Sequence, residues 1–352
     1  MKLRAIFLGI TLLGCTLTVI GLIFLSDHFR RQPGSFVRLL PPHPATRSGS
    51  IDLSYNSYYI AGLSDTRIYL GNYTAQLHLL SISRTLADSQ HVKLKFPNIE
   101  NAKFWSLTVR VDSPNFYLMD GTQPIIYQGS ISNWRIVDTA SNDAFFVEAL
   151  PISKSSFAIR SLSSVNHEYE LGKKMLNTPD VELMPSLLEK QIDGKFCVDG
   201  MMDYDPESAT LVYLYFYRNE YLVMDSSLNL RFRGRTIDTV TTAQFQVAKI
   251  TSTNSFTMSS PPLIVNRRGC VSQNYLFINS ARMAKNEIEE EFDKLSVIDV
   301  YGLDNYEYKF SFYLPHISKR KLHDFRVSDW KLFALIDREL VIYDLSPHYF
   351  QR

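Results

Sequence analysis

The chain has 352 residues and weighs 40.5 kDa, with Lys+Arg 37 against Asp+Glu 36. That balance removes the electrostatic case for nucleic-acid or polybasic membrane-surface binding, so no nucleic-acid partner is expected. Hydrophobic residues at 45% can build a sizeable core, Tyr 20 and Phe 22 favour strands, and three cysteines without a CxxC pair are too few for a disulfide scaffold.

From Ala5 to Leu25 the chain reads AIFLGITLLGCTLTVIGLIFL, without a charge. At about 1.5 Å per residue such a helix spans the ~30 Å hydrocarbon core of a bilayer. Two rivals fit less well. A cleaved signal has a shorter apolar run, roughly 7–15 residues, and a small-x-small cleavage site. Leu12-Leu13-Gly14-Cys15 resembles a lipobox, but apolar residues continue past Cys15 where a lipoprotein turns polar. Residues 1–26 are therefore read as an uncleaved membrane anchor, with residues 5–25 in the membrane. Lys2 and Arg4 precede the helix and Arg30 and Arg31 follow it, so the positive-inside bias is small. A four-residue head most simply stays in the cytoplasm and leaves the body on the extracytoplasmic side of the cell membrane.

Residues 27–50 contain Pro33, Gly34, Pro41, Pro42, Pro44 and Gly49, which suits a tether. Within them Phe36–Leu40 could form one isolated strand. From Ile51 onward short apolar-aromatic runs recur, broken by Gly, Asn, Asp and Ser. One series begins Tyr58–Gly62 and continues at Asn115–Met119, Ser156–Arg160, Leu211–Tyr215, Tyr275–Asn279 and Leu332–Ile336. Each member is followed by a turn and a second strand. Six copies at roughly 55-residue spacing fall in the range of propellers or solenoids. The clearest copy runs Thr210–Tyr217, Tyr221–Asp225 and Asn229–Arg235, a meander of the kind that forms a propeller blade.

The expected fold is all-β: a β-propeller of about six blades over residues 51–352, after one N-terminal transmembrane helix. Phe36–Leu40 would close the ring against the last strand, Glu339–Leu345. Packed β-sandwich domains are the alternative. Two helical insertions are expected, at 179–190 and 280–295. The stretches Ser54–Gly62, Lys190–Gly194 and Tyr217–Asp225 give the chain its likeness to one family. It resembles uncharacterised bacterial membrane-anchored six-bladed β-propeller-like proteins, a resemblance that implies fold and anchoring but no activity.

Chemical motifs are sparse. There is no GxSxG elbow, no HExxH, no Walker loop and no GxGxxG. The densest carboxylate cluster is Asp199, Asp203 and Asp205, with Glu207 beyond. Carboxylates at alternate positions can converge on Ca²⁺, which takes six to eight oxygens; otherwise they make Asx turns in a connecting loop. No other cofactor is expected. Cys197 and Cys270 sit at similar places in neighbouring repeats, and an extracytoplasmic location permits a disulfide between them; two buried free thiols fit equally. Arg231, Arg233 and Arg235 share one face of an outer strand, where charges discourage edge-to-edge pairing. The functional expectation is a membrane-tethered binding or scaffold module for a protein partner or ligand, more readily than an enzyme. The alternative is a propeller hydrolase or lyase with a site at the central channel, for which His167 and the three aspartates are candidates.

Overall fold

The structure is a computed structural model that describes residues 2–30, 33–95, 104–141, 145–176, 178, 180–250 and 255–350. Six four-stranded antiparallel sheets are arranged as blades around an axis. Blade I is β2 (Tyr58–Leu63), β3 (Arg67–Asn72), β4 (His78–Ser83) and β5 (Ser89–Lys93). Blade II is β6 (Thr108–Asp112), β7 (Asn115–Asp120), β8 (Ile125–Ser130) and β9 (Arg135–Ser141). Blade III is β10 (Phe146–Ser153), β11 (Ser156–Leu162), β12 (Tyr169–Met175) and β13 (Val181–Met184). Blade IV is β14 (Gly200–Asp205), β15 (Thr210–Tyr215), β16 (Glu220–Asp225) and β17 (Leu230–Arg235). A separate hairpin, β18 (Val247–Ile250) and β19 (Ser255–Met258), precedes blade V. That blade is β20 (Asn266–Ser272), β21 (Tyr275–Ser280), β22 (Leu295–Gly302) and β23 (Tyr308–Pro315). Blade VI is β24 (Leu322–Ser328), β25 (Lys331–Ile336), β26 (Glu339–Leu345) and, from the other end of the chain, β1 (Ala45–Asp52).

The first strand of each blade is innermost. Each inner strand touches the next around the ring, from β2 through β6, β10, β14, β20 and β24 back to β2. The middle strands are apolar on both faces because neighbouring blades cover both. Thus β15 (TLVYLY) and β25 (LFALI after Lys331) are almost wholly buried, the pattern expected of strands packed on both sides. The repeat read from the sequence is therefore correct, but out of step in blade I. Tyr58–Gly62 is an inner strand, whereas the other five members of that series are second strands.

Ring closure works as expected but uses a different segment. The closing strand is β1, paired antiparallel with β26 from Ala45↔Leu345 to Asp52↔Glu339. Phe36–Leu40 forms no strand. An outermost strand faces solvent, so the closing sequence ATRSGSID is polar, and apolar content pointed to the wrong residues. The expected helix at 179–190 is likewise corrected: β13 occupies part of it as an outer strand. The 280–295 insertion holds only a short helix, α2 (Glu289–Phe292).

Residues 33–44 run as a belt from blade IV past blade V to blade VI. Ser35 Oγ donates to Thr239 Oγ1, Gly34 N to Met283 O, Ser311 N to Leu39 O, and Ser346 N to Pro44 O. Gly34, Phe36 and Arg38 alternate inward. Arg38 is 2% exposed. Its Nε and Nη2 hold the two oxygens of Asp299 at 2.8 and 3.2 Å, while Nη1 binds Glu287 and the Arg282 carbonyl. Both carboxylates are saturated from other directions, by Ser311 Oγ, Ala284 N and Tyr313 Oη. Burial works against the Arg38 charge, but Asp299 and Glu287 outweigh it and keep the guanidinium protonated.

The N-terminal helix α1 (Lys2–Arg30) is exposed at every described side chain, including apolar ones on all faces from residue 6 to residue 22. Among the described residues no helix is long and apolar enough to cross a membrane.

Removing one partner of a buried ion pair leaves an uncompensated charge, worth about 3–5 kcal/mol. Arg38→Ala should destabilise the propeller by about that amount in denaturant melts of the purified chain. Arg38→Met with Glu287→Gln and Asp299→Asn should recover much of the loss, because no buried charge remains. An Arg38→Ala protein that melts like the parent would refute this account of the belt.

Candidate functional site

Two cavities meet on the propeller axis. The wider, about 350 Å³, lies where the inner strands end; the narrower, about 140 Å³, lies where they begin. All six inner strands contribute to each. Larger hollows lie elsewhere, about 590 Å³ beside β18–β19 and about 420 Å³ between blades VI and I. The second of these holds Arg84, already paired with Asp329 at 2.6 Å. Among the described residues, the axis gathers charged side chains from five blades, Arg110, Glu148, Asp203, Arg268, and Asp324 with Arg326, which makes it the candidate site.

Local backbone irregularity aims these side chains. The pairing of β10, β20 and β24 with their neighbours shifts register between Phe146 and Glu148, between Asn266 and Arg268, and between Leu322 and Asp324. Such bulges re-aim the following side chain, and in each case that side chain is charged and lines the narrower cavity. Arg110 on β6 and Arg326 on β24 line both cavities and so mark the waist between them.

The carboxylates at this level hold the blades together. Glu148 Oε1 accepts from Met202 N at 3.2 Å, joining blades III and IV. Asp203 Oδ2 accepts from Val271 N at 2.8 Å, joining IV and V. Asp324 Oδ2 accepts from Ile60 N at 2.8 Å, joining VI and I. Two neutral acceptors do the same work elsewhere: Cys270 Sγ for Val327 N at 3.2 Å and Tyr59 Oη for Val109 N at 2.7 Å. The junction of blades II and III differs. The corresponding side chain is Arg110, which cannot accept, and Phe146 N bonds instead to Gly121 O. A Cβ on Gly121 would stand 1.7 Å from the Phe146 carbonyl oxygen, so this close approach requires glycine.

Burial pushes the Glu148 carboxyl above its ordinary range, outweighing Arg160, the Met202 N–H, Arg110 and Arg268. Burial dominates Cys270 in the same way and raises its thiol far out of the physiological range. Arg326 is held charged because Asp203 and Asp324 overcome its burial; Arg110 is pushed down by burial and by Arg326.

The sequence-derived sites fare unevenly. Asp203 and Asp205 line the wider cavity, but Asp199 does not; its Oδ1 pairs with Arg160 Nη1 at 2.6 Å. Asp205 is spent on an Asx turn, accepting from Glu207 N and Ser208 Oγ. The three aspartates therefore do not converge, and among the described residues no group of three His, Cys, Asp or Glu side chains is placed to hold a metal ion. Of the two readings of Cys197 and Cys270, the structure holds the buried free thiols, each packed in a different hydrophobic cluster. Cys197 Sγ donates to Asp193 O, while Cys270 Sγ faces Val327 N. His167 is exposed in the β11–β12 turn, away from the axis. Of the outer-strand arginines, Arg233 is paired with Glu220 at 2.6 Å. Arg110, Glu148, Arg268, Asp324 and Arg326 were missed. The available signal was a charge flanked by apolar residues in an inner strand, as in Val109-Arg110-Val111.

No family model matches this sequence, and a search of curated proteins finds no match. Solved structures do share its architecture. A member of the DUF4221 family from Bacteroides vulgatus superposes with a TM-score of 0.52 at 12% identity, covering 90% of this chain and 99% of that one. A protein from Bacteroides fragilis inferred to be exported gives 0.52 at 8% identity, covering 89% of this chain and 98% of the other. At these identities the likeness shows the β-propeller fold and nothing finer.

Glu148 sets a sign for pH dependence. Its folded value is raised, so its contribution to stability is full below the ordinary Glu value near ~4.3 and is lost as pH rises through the folded value. Glu148→Gln keeps an acceptor for Met202 N and cannot ionise. It should therefore equal or exceed the parent in stability at pH 7.5, with the difference shrinking toward pH 4, as read by urea melts at the two pH values. A variant that is less stable only at the higher pH would contradict the assignment.

Proposed function

We propose that the protein is a membrane-tethered binding module that takes its ligand in the axial channel. The observation that carries this reading is the fate of the channel carboxylates. Glu148, Asp203 and Asp324 each accept a backbone N–H from the next blade. They are bound into the scaffold and are poorly placed to abstract a proton, whereas a base needs hydrogen-bond reach to its substrate. What remains is a preformed, open cavity on which a few charged groups converge, a form that ligand sites take.

The tether rests on the sequence and on α1. Residues 5–25 carry no charge, and a helix apolar on every face must be covered, by protein or by lipid. No propeller residue covers the described part of α1, and so large an apolar surface left in water would be costly. The body is assigned to the extracytoplasmic side. A structural neighbour inferred to be exported agrees with that placement.

Two measurements test the reading. Alkaline carbonate should leave the chain in the membrane pellet, and protease added to intact cells should remove the body; release by carbonate would refute the anchor. Native mass spectrometry of the full chain extracted in detergent should show a small-molecule adduct. Ser153→Trp, at the mouth of the wider cavity, should lower its occupancy at least tenfold. An adduct indifferent to that substitution would remove the channel as the binding site.

A further inference from the structure

We infer that the axial channel binds a single oxyanion group, a carboxylate or a phosphate, between the guanidinium groups of Arg110 and Arg326. This rests on the reading of the channel as the ligand site and names its chemistry.

Arg110 carries the argument. Among the described residues its guanidinium makes no hydrogen bond and no ion pair, although it lies at the centre of the ring. It stands at the one inter-blade junction where an inner-strand side chain is not used as an acceptor, so the fold makes no evident demand for it. Arg326 is only loosely engaged: Nη2 is 3.7 Å from Asp203 Oδ1, and Nη1 reaches the neighbouring Phe325 carbonyl at 3.4 Å. The nearby carboxylates cannot easily turn to serve these arginines, because each is committed to a backbone N–H.

Two guanidinium groups thus face one space with free donors. Like charges placed together are unfavourable, and each lowers the tendency of the other to stay charged; Arg110 shows that depression. An anion between them would reverse the sign of that interaction. Guanidinium forks match carboxylate and phosphate oxygens two at a time. The narrower cavity of about 140 Å³ would hold several waters at ~30 Å³ each, enough for one small head group. The rest of a ligand would extend into the wider cavity, whose rim carries Asp112, Asp205 and Glu207. That acidic rim disfavours a polyanion, so the ligand has one anionic group and a neutral or cationic remainder.

The test uses the full chain in detergent, with acetate and inorganic phosphate as separate probes at ionic strength held constant with NaCl. At least one probe should raise the thermal midpoint in a saturable way, and comparing the two distinguishes carboxylate from phosphate. Arg110→Gln should weaken the apparent affinity at least tenfold, and Arg110→Lys should weaken it less. Arg231→Gln, on an outer strand, should behave as the parent. A second readout needs no variant: the favoured anion should protect Arg110 from phenylglyoxal, mapped by peptide mass spectrometry. Equal responses in the parent and Arg110→Gln, or modification of Arg110 indifferent to both anions, would overturn the inference. A channel adduct lost in Ser153→Trp but retained in Arg110→Gln would overturn the anion alone and leave the ligand site standing.

Discussion

In this ring the last sheet is completed by a strand from the other end of the chain, and closure depends on that pairing being made in register. Here β1 and β26 carry that requirement, and β1 is poorly equipped to meet it alone. It is polar and half-exposed, with a register shift between Arg47 and Gly49. A strand without a buried face specifies its register weakly. Arg38, seven residues upstream of Ala45, supplies what β1 lacks. Its fork fits Asp299 in one position only, so the belt enters blade VI at a fixed point. A buried ion pair is a weak source of net stability but can be a strong source of specificity. In this fold its value lies in deciding where the closing strand begins.

The same logic runs through the centre of the ring. Inner strands of neighbouring blades approach edge-on, so their backbone N–H groups need acceptors that sheet pairing does not give. Three carboxylates, a thiol and a phenol provide them. Charge in the channel is thus first a consequence of joining blades. Between blades II and III the join is made by backbone at Gly121, which frees the inner-strand position for Arg110. A binding group has room there because the scaffold there is held by other means.

How much of this could be read from the sequence divides along physical lines. Strands buried on both faces, such as β15 and β25, announce themselves by unbroken apolar content, and their recurrence gave the propeller. Outer strands do not, because solvent on one side permits polar residues; β1 was passed over in favour of Phe36–Leu40 for that reason. The helix expected at 179–190 did not form and that at 280–295 shrank to α2, because short leucine- and glutamate-bearing runs also suit edge strands and turns. The axial site was legible only in part. Asp203 was noticed for its neighbours Asp199 and Asp205, which turn out to serve Arg160 and an Asx turn. Its actual companions come from other blades, more than a hundred residues away in the case of Arg326, and no local spacing encodes them. Arg38 left a fainter trace: it shares the inward face of an extended run with Gly34 and Phe36.

The belt also bears on how the channel would meet a membrane spanned by α1, as proposed. Arg30 ends α1, and Gly34 already bonds to Met283. Four residues reach at most about 14 Å, so a membrane-spanning α1 would hold the propeller close to the bilayer. Met283 lies in the β21–β22 connection, and Thr239, bonded to Ser35, lies in the connection from blade IV to blade V. In an antiparallel blade both connections fall at the end where inner strands begin. That end carries the narrower cavity with Arg268, Glu148 and Asp324. The wider cavity, with its acidic rim, opens at the opposite end. Ligand entry would then face away from the lipid, and the belt that fixes the closing strand would follow directly on the anchoring helix.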